Sequence, residues 1–406
     1  MTAAVFLFVA TVETGLDVVA AGDVSLLRGK RLALLAHAAS VTSDGRHAID
    51  VLRSASLDLR LVFAPEHGLR GQAAAGEGVK GERDPGSGLP VVSLYGGKTR
   101  PSRDDLMGVD AVVVDLQDAG VRFYTYASTL LLTLEAAAEA GREVIVLDRP
   151  NPLGGELVEG PLSDSEDRVA RSLLNRAPGP LVHGLTLGEL ALFANARSAR
   201  PARLHVVRMR GWRRTMTWED TGLRWVAPSP NLRSAAAALA YPGVCLLEAT
   251  NVSEGRGTAA PFLRLGAPWL DPSALRAALR DATQQAGFAL EPVTFVPRSG
   301  PADPAPKHEG RECRGLAVRV IDPRAVRPYA LGVALLAALR GQPSFAWRDG
   351  GTALDRLVGA RSLREGLQAG RSASEILAGD EAAIAAFRRD RASVLLYGVT
   401  GAVPAP

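Results

Sequence analysis

The chain has 406 residues, 47% hydrophobic and 22% charged, with a formal net charge of +4. That length exceeds what one hydrophobic core usually organises, so two domains are expected. The composition excludes a disordered chain, and no segment reaches the roughly 20 apolar residues of a membrane span. Four of the 47 basic residues are lysine and the rest arginine, with no basic run of five or more. This reads as compositional bias, and nucleic acid is not an expected partner.

Met1–Ala10 is apolar but lacks a basic flank, and Glu13 and Asp17 follow closely. It reads as a first strand rather than a signal peptide, so a cytoplasmic location is favoured and export stays open. Buried strands are then expected at Arg31–Ala36, Leu59–Phe63, Val91–Leu94, Ala111–Asp115 and Glu143–Asp148. Helices are expected at His47–Ser54 and Leu130–Ala140, with Gly141 as the C-cap of the second. Apolar runs without polar alternation, separated by helices, indicate an α/β domain with a doubly wound, mainly parallel sheet.

Thr186–Ala196 carries a capping box, Thr186 with Glu189. From Pro228 to Pro268 the chain is dense in Pro, Gly and Asn, as in pocket-shaping loops. After Trp269 a strand at Gly315–Ile321 and helices near Tyr329–Leu339 and Glu381–Phe387 suggest a smaller α/β domain. Pro301–Pro306 reads as a connecting loop within it. The expected division is 1–265 and 266–406. Cys245 and Cys313 allow two free core thiols or one bridge.

Polar residues gather where strands end. Pro65-Glu66-His67-Gly68 follows one strand, Asp115, Gln117 and Asp118 another, and Asp148, Arg149 and Asn151 a third. Ligands in open α/β sheets bind outside such carboxyl ends. Taken singly, each of these residues is as plausibly a cap or a turn. Gly120–Tyr126 adds Arg122, Tyr124 and Tyr126. Carboxylates, arginines, amides and aromatic rings together suit an anionic, hydroxyl-rich ligand such as a sugar acid.

Gly76–Gly81 has dinucleotide-fingerprint spacing but neither the preceding strand nor the following helix, and is discarded. No nucleophile elbow, Walker loop or zinc-protease helix occurs, and the six histidines are scattered. No metal is expected.

These blocks resemble the NamZ-type exo-β-N-acetylmuramidases, a glycoside hydrolase family. The resemblance runs from Glu13-Thr14-Gly15-Leu16-Asp17 to Leu395-Leu396-Tyr397. It takes in Pro65–Gly68, Asp115–Asp118, Gly120–Tyr126, Leu147–Pro152, Gly154-Gly155 and Val158–Pro161. It continues through Pro228–Asn231, Asn251–Thr258 and Gly266–Trp269. Ala36-His37-Ala38 departs from the pattern, where Thr-Asn is expected. The resemblance implies a Rossmann-like N-terminal domain, a cleft shared with a smaller C-terminal domain, and no cofactor. The implied activity is release of N-acetylmuramic acid from non-reducing ends of peptidoglycan fragments.

Glycoside cleavage needs a proton for the leaving oxygen and stabilisation of an oxocarbenium-like centre. Glu66 is the candidate acid, since a carboxyl beside apolar strand ends is the kind that desolvation keeps protonated. Asp118, Asp115 and Glu254 are candidates for nucleophile or base; alternatively the substrate's 2-acetamido group attacks, oriented by a carboxylate or Tyr124. Arg122, Arg149 and Arg256 are candidates for the lactyl carboxylate. His67, Gln117, Tyr126, Asn151, His183, Asn231 and Asn251 complete the expected binding set. A non-catalytic muropeptide-binding protein would use the same crevice, and a wall esterase or amidase would need an activated Ser or Cys.

Overall fold

The computed structural model describes residues 12–71, 73, 74, 76, 77, 83–164 and 172–398. The strand expected within Met1–Ala10 and most of the Gly76–Gly81 stretch lie outside the described residues.

Strands β1 (Arg31–Ala36), β2 (Asp58–Ala64), β3 (Val91–Ser93), β4 (Ala111–Asp115) and β5 (Glu143–Leu147) follow one another along the chain. A short antiparallel ribbon comes next, β6 (Glu159–Leu162) with β7 (Pro180–Val182), before β8 (Arg203–Val207). The central sheet is parallel throughout, in the order β3-β2-β1-β4-β5-β8. The strand direction of winding reverses between β1 and β4, which makes that junction the topological switch point.

The sheet is buried on both faces, and the two-residue period of its strands explains why. Ala33, Leu35, Val112, Val114, Val144 and Val146 enter one apolar cluster. Leu32, Leu34, Ala111, Val113, Ile145 and Leu147 enter the other. Unbroken apolar strands therefore serve two cores at once, as a parallel sheet covered by helices requires.

Three further strands, β9 (Arg264–Ala267), β10 (Phe288–Phe295) and β11 (Cys313–Val320), form an antiparallel sheet in the order β10-β11-β9. The first apolar cluster runs on from the central sheet through Tyr241 and Leu335 to Leu363 and Ile376. The smaller sheet and its helices thus share a core with the larger one. Cys245 and Cys313 are buried free thiols. Among the described residues no helix is long and apolar enough to cross a membrane.

Two element readings need correction. The helix expected from Leu130 begins at Thr125 and runs to Ala140, with Gly141 closing it at φ +67°. Its first turn is hidden in sequence because Tyr124, at the N-cap, offers no side-chain cap. The Pro228–Pro268 region, read as loop throughout, contains a helix at Ala235–Val244 with Pro242 inside it. Close packing explains that helix. A Cβ on Gly243 would lie 2.0 Å from the Pro328 carbonyl oxygen, and one on Gly332 2.7 Å from that of Gly243. Glycine on both sides lets this helix cross Pro328–Leu339 at backbone contact.

Candidate active site

β2 ends at Ala64, and Pro65 begins a tight reversal in which the Gly68 amide donates to the Pro65 carbonyl at 3.0 Å. His67 and Gly68 both take left-handed backbone, at φ +71° and +74°. Such a conformation costs a non-glycine residue roughly 1–2 kcal/mol. Here the His67 ring offsets part of that cost, its Nδ1 meeting the Ala73 carbonyl at 2.8 Å. The turn delivers Glu66 to the carboxyl rim of the sheet as a buried side chain.

The Glu66 carboxylate is gripped at both oxygens. Oε1 accepts from the Gly76 amide at 2.9 Å, and Oε2 accepts from the Thr125 hydroxyl at 2.7 Å. Thr125 opens the helix that follows β4, so its donor stands at a helix N-terminus, where negative charge is favoured. Tyr95, just beyond β3, lies alongside; burial and then the Glu66 charge push its phenol upward. Three strand ends therefore converge on this carboxyl. Sequence reasoning missed Thr125 and Tyr95. The signal was their position after β3 and β4, overlooked in favour of charges and rings nearby.

Asp118 is the second unusual acid. Its Oδ2 accepts from the Gly120 amide at 2.8 Å, while Oδ1 is buried without a hydrogen-bond partner among the described residues. Burial pushes its carboxyl up to about 7, only partly opposed by the Gly120 and Ala119 amides. The Tyr124 hydroxyl is also buried, close to Ser229 and Tyr126 but in hydrogen-bonding geometry with neither. Unsatisfied buried polar atoms are rare and mark places where a ligand or water completes the set.

Other expected site residues are committed elsewhere. Asp115 is fully buried and paired bidentately with Arg149, at 2.6 Å to Nε and 2.8 Å to Nη2. Arg149 also donates to the Val41 carbonyl. Neither is free to act as nucleophile or to take a substrate carboxylate; the pair stitches β4 to the loop after β5. Gln117 donates to the carbonyls of Asp118 and Pro150, and its amide donates to His37 Nε2 at 3.0 Å. His37, at the end of β1, thus plugs the switch point, and a cavity of about 30 Å³ remains beside Gln117 and Arg149. That is room for roughly one water.

Arg122 is a structural arginine. Fully buried, it donates to Asn175 and to the carbonyls of Pro161, Gly179 and Val358, joining the segment after β4 to the β6–β7 ribbon and to Val358 far along the chain. Desolvation lowers its guanidinium to about 9. Tyr126 is equally hidden. Its hydroxyl reaches the carbonyls of Pro228 at 2.7 Å and Glu66 at 3.2 Å, and its ring meets His37 and Tyr124 edge-on. It offers no face to a sugar; it ties the Glu66 turn to the Pro228–Asn231 loop.

Asn151 folds its own turn, donating to the Leu185 carbonyl and accepting from the Leu153 amide. His183 is buried, accepts from the Leu185 amide, and is held down to about 3 by burial and by Arg391 and Arg122. Asn251 spends its amide on the Ser344 carbonyl and the Ala346 amide. The side-chain amides of Asn151 and Asn251 are thus spent within the protein, while His183 Nε2 is buried with no hydrogen-bond partner among the described residues.

Opposite the Glu66 turn lies a charged cluster from the second half of the chain. Arg256 binds Glu248 Oε1 through Nε and Nη2, at 3.0 and 2.7 Å, and stands 3.5 Å from Glu254. Burial works against its charge, but Glu248 and Glu254 outweigh it and keep the guanidinium protonated. Glu254 is clamped between Arg256 and Lys307, the latter at 3.0 Å, which leaves it poorly placed as a nucleophile. Lys307 spends its other donors on the Leu247 and Val252 carbonyls. The field of Arg256 reaches His67, whose imidazole is lowered by burial first, with Glu66 opposing. Asn231 bridges the two sides, donating to the Ala302 carbonyl at 3.2 Å while its Oδ1 stays buried and unpartnered. Of the expected residues, Glu66, His67, Asp118, Tyr124, Asn231, Glu254 and Arg256 are linked in one network, through Tyr126, the Pro228–Asn231 loop and the field of Arg256 on His67.

Comparison with known proteins identifies the family. The family model described as exo-beta-N-acetylmuramidase NamZ, N-terminal, matches residues 32–236, and its C-terminal counterpart matches 239–397. The peptidoglycan beta-N-acetylmuramidase NamZ of Bacillus subtilis (strain 168) is 35% identical over 389 residues, covering 95% of this chain and 91% of that protein. Two crystal structures of DUF1343 family proteins from Bacteroides fragilis share the fold at 29% identity. One has a TM-score of 0.85 over 95% of this chain and 99% of its own. The other has 0.76 over 96% and 99%. Matched in both halves and across nearly its full length, the chain belongs to the NamZ family.

Proposed function

We propose that this protein is a glycoside hydrolase that removes N-acetylmuramic acid from the non-reducing ends of peptidoglycan fragments, with Glu66 as general acid/base. The observation that carries the reading is Glu66 itself: a buried rim carboxylate held by the Gly76 amide and the Thr125 hydroxyl. Kinship with a named peptidoglycan muramidase supplies the substrate class. In this reading residues 1–265 carry the chemistry and 266–406 complete the cleft.

Glu66 protonates the departing glycosidic oxygen as the bond to the muramoyl anomeric carbon breaks, then takes a proton from the incoming water. Fixed donors on both oxygens keep the carboxyl aimed through that exchange. Asp118 is the acid best suited to serve the opposite face, since its Oδ1 has no competing partner among the described residues. Of the three arginines considered for the lactyl carboxylate, Arg256 is the one that keeps a donor in hand: Nε and Nη2 go to Glu248, while Nη1 has no hydrogen-bond partner among the described residues. Arg256→Gln should therefore raise KM for muramyl substrates far more than for glucosaminyl analogues. Equal losses on both would make Arg256 structural.

Product analysis on a muramyl-glucosamine disaccharide tests the activity. Free N-acetylmuramic acid and N-acetylglucosamine should accumulate together from non-reducing ends. Binding without products would favour a muropeptide-binding protein, and release of peptide or acyl groups a wall amidase or esterase.

A further inference from the structure

The loop Gly300–Asp303 is a tight turn closed by paired backbone bonds, Gly300 and Asp303 each donating to the other's carbonyl at 3.0 Å. It is anchored from outside by Asn231, through the Ala302 carbonyl. The residue so fixed, Asp303, is half-buried, and its Oδ2 is buried with no hydrogen-bond partner among the described residues. Burial raises its carboxyl, and the charges of Glu254 and Glu248 add to that against Arg256 and Lys307. Yet among the described residues it makes no ion pair: Arg256 turns Nε and Nη2 to Glu248, and Lys307 goes to Glu254 and two carbonyls.

Asp303 does not stand alone. Asn231, whose Nδ2 binds the carbonyl of the preceding residue Ala302, carries in Oδ1 a second acceptor with no partner among the described residues, on a side chain only 3% exposed. The Asn231 loop reaches the Glu66 turn through Tyr126, and Arg256 is felt by both His67 and Asp303. Two acceptors without donors among the described residues, on two loops joined by the Asn231–Ala302 bond, call for a donor-rich ligand. A sugar supplies hydroxyls and an acetamido N–H.

We propose that Asp303, with Asn231, forms a hydrogen-bond-accepting wall that binds an O–H or N–H donor of the muramoyl residue, making Asp303 a substrate-binding residue contributed by the second half of the chain. The proposal rests on the muramidase reading above. Removing a buried acceptor that a ligand donor needs weakens binding by about tenfold.

The test measures KM, kcat and inhibition by N-acetylmuramic acid for the full chain and for Asp303→Ala and Asp303→Asn, with melting temperatures alongside. The turn's own bonds are backbone bonds, so both variants keep it. Asp303→Ala should raise KM and the N-acetylmuramic acid inhibition constant about tenfold with a smaller change in kcat and an unchanged melting temperature. Asp303→Asn, which retains an acceptor oxygen, should recover most of the loss. Unchanged binding in Asp303→Ala, or equal losses in both variants, would overturn the proposal, the latter because charge balance around Arg256 would then be the whole role. If wild-type protein neither cleaves muramides nor binds N-acetylmuramic acid, the muramidase reading itself fails and the proposal with it.

Discussion

Glu66 and Asp115 are both carboxylates at the end of a buried parallel strand, and their partners separate their roles. Asp115 faces a guanidinium that matches its two oxygens, so its charge is neutralised within the fold. Glu66 faces an amide and a hydroxyl, neutral donors that orient it without cancelling it. Breaking the buried pair from one side leaves an uncompensated charge, which costs about 3–5 kcal/mol. Arg149→Ala should lower the free energy of urea unfolding by about that amount; a loss under 1 kcal/mol would show the pair to be dispensable. Sequence could not make this distinction. The strand ends announced which acids reach the rim, and Arg149 stood among them, but which acid the arginine would claim depends on side-chain reach across β4 and β5. Arg122 misled for a related reason: charge next to two tyrosines reads as a ligand grip, whereas here four protein acceptors already surround it.

At the scale of elements, the parallel strands were readable because their residues are apolar on both faces, and Gly141 and the Thr186–Glu189 box fixed two helix ends by local chemistry. The Ala235–Val244 helix was not readable, since Tyr241-Pro242-Gly243 is turn chemistry by local rules. What permits the helix is nonlocal: the Gly243 backbone against the Pro328 carbonyl. Gly243→Val should therefore force the two helices apart and destabilise the protein by about 1–3 kcal/mol, as overpacking does. An unchanged denaturation midpoint would contradict the close crossing. The charged cluster of Glu248, Glu254, Arg256, Lys307 and Asp303 was only half legible, for Asp303 lies in a Pro-rich stretch that reads as a connector, and its neighbour Ala302 meets Asn231 only in three dimensions.

At the scale of the whole molecule, the chain returns on itself. The Tyr397 hydroxyl donates to Asp148 at 2.7 Å, the Leu396 amide donates to Glu189, and Arg391 donates to the His183 and Gly184 carbonyls. Tyr397 also packs edge-on against Trp212 within a small apolar cluster. Tyr397→Ala should cost about 3–5 kcal/mol of stability, the range for removing a buried aromatic; a loss below 1 kcal/mol in urea unfolding would mean that this return is ornamental. Buried acids also give stability a common pH dependence. Burial holds Asp118 up to about 7, so between its unfolded value near 4 and about 7 the folded protein keeps a proton that the unfolded chain has released. Stability from this group is full below that window and falls as pH rises through it. Asp148 and Asp380, pushed up to about 6, add slopes of the same sign. Asp118→Asn should thus lose less stability than wild type between pH 5 and pH 8, and equal losses would contradict the shift.

The central claim is that Glu66 delivers the proton to the leaving oxygen, and leaving-group dependence tests it most directly. A muramyl-glucosamine disaccharide needs that proton, whereas an aryl muramide with an acidic phenol leaves without it. Glu66→Gln should slow the disaccharide by about 10²–10⁴-fold and the activated aryl substrate far less, with N-acetylmuramic acid binding retained. Equal slowing of both substrates, or disaccharide turnover close to wild type, would contradict the account.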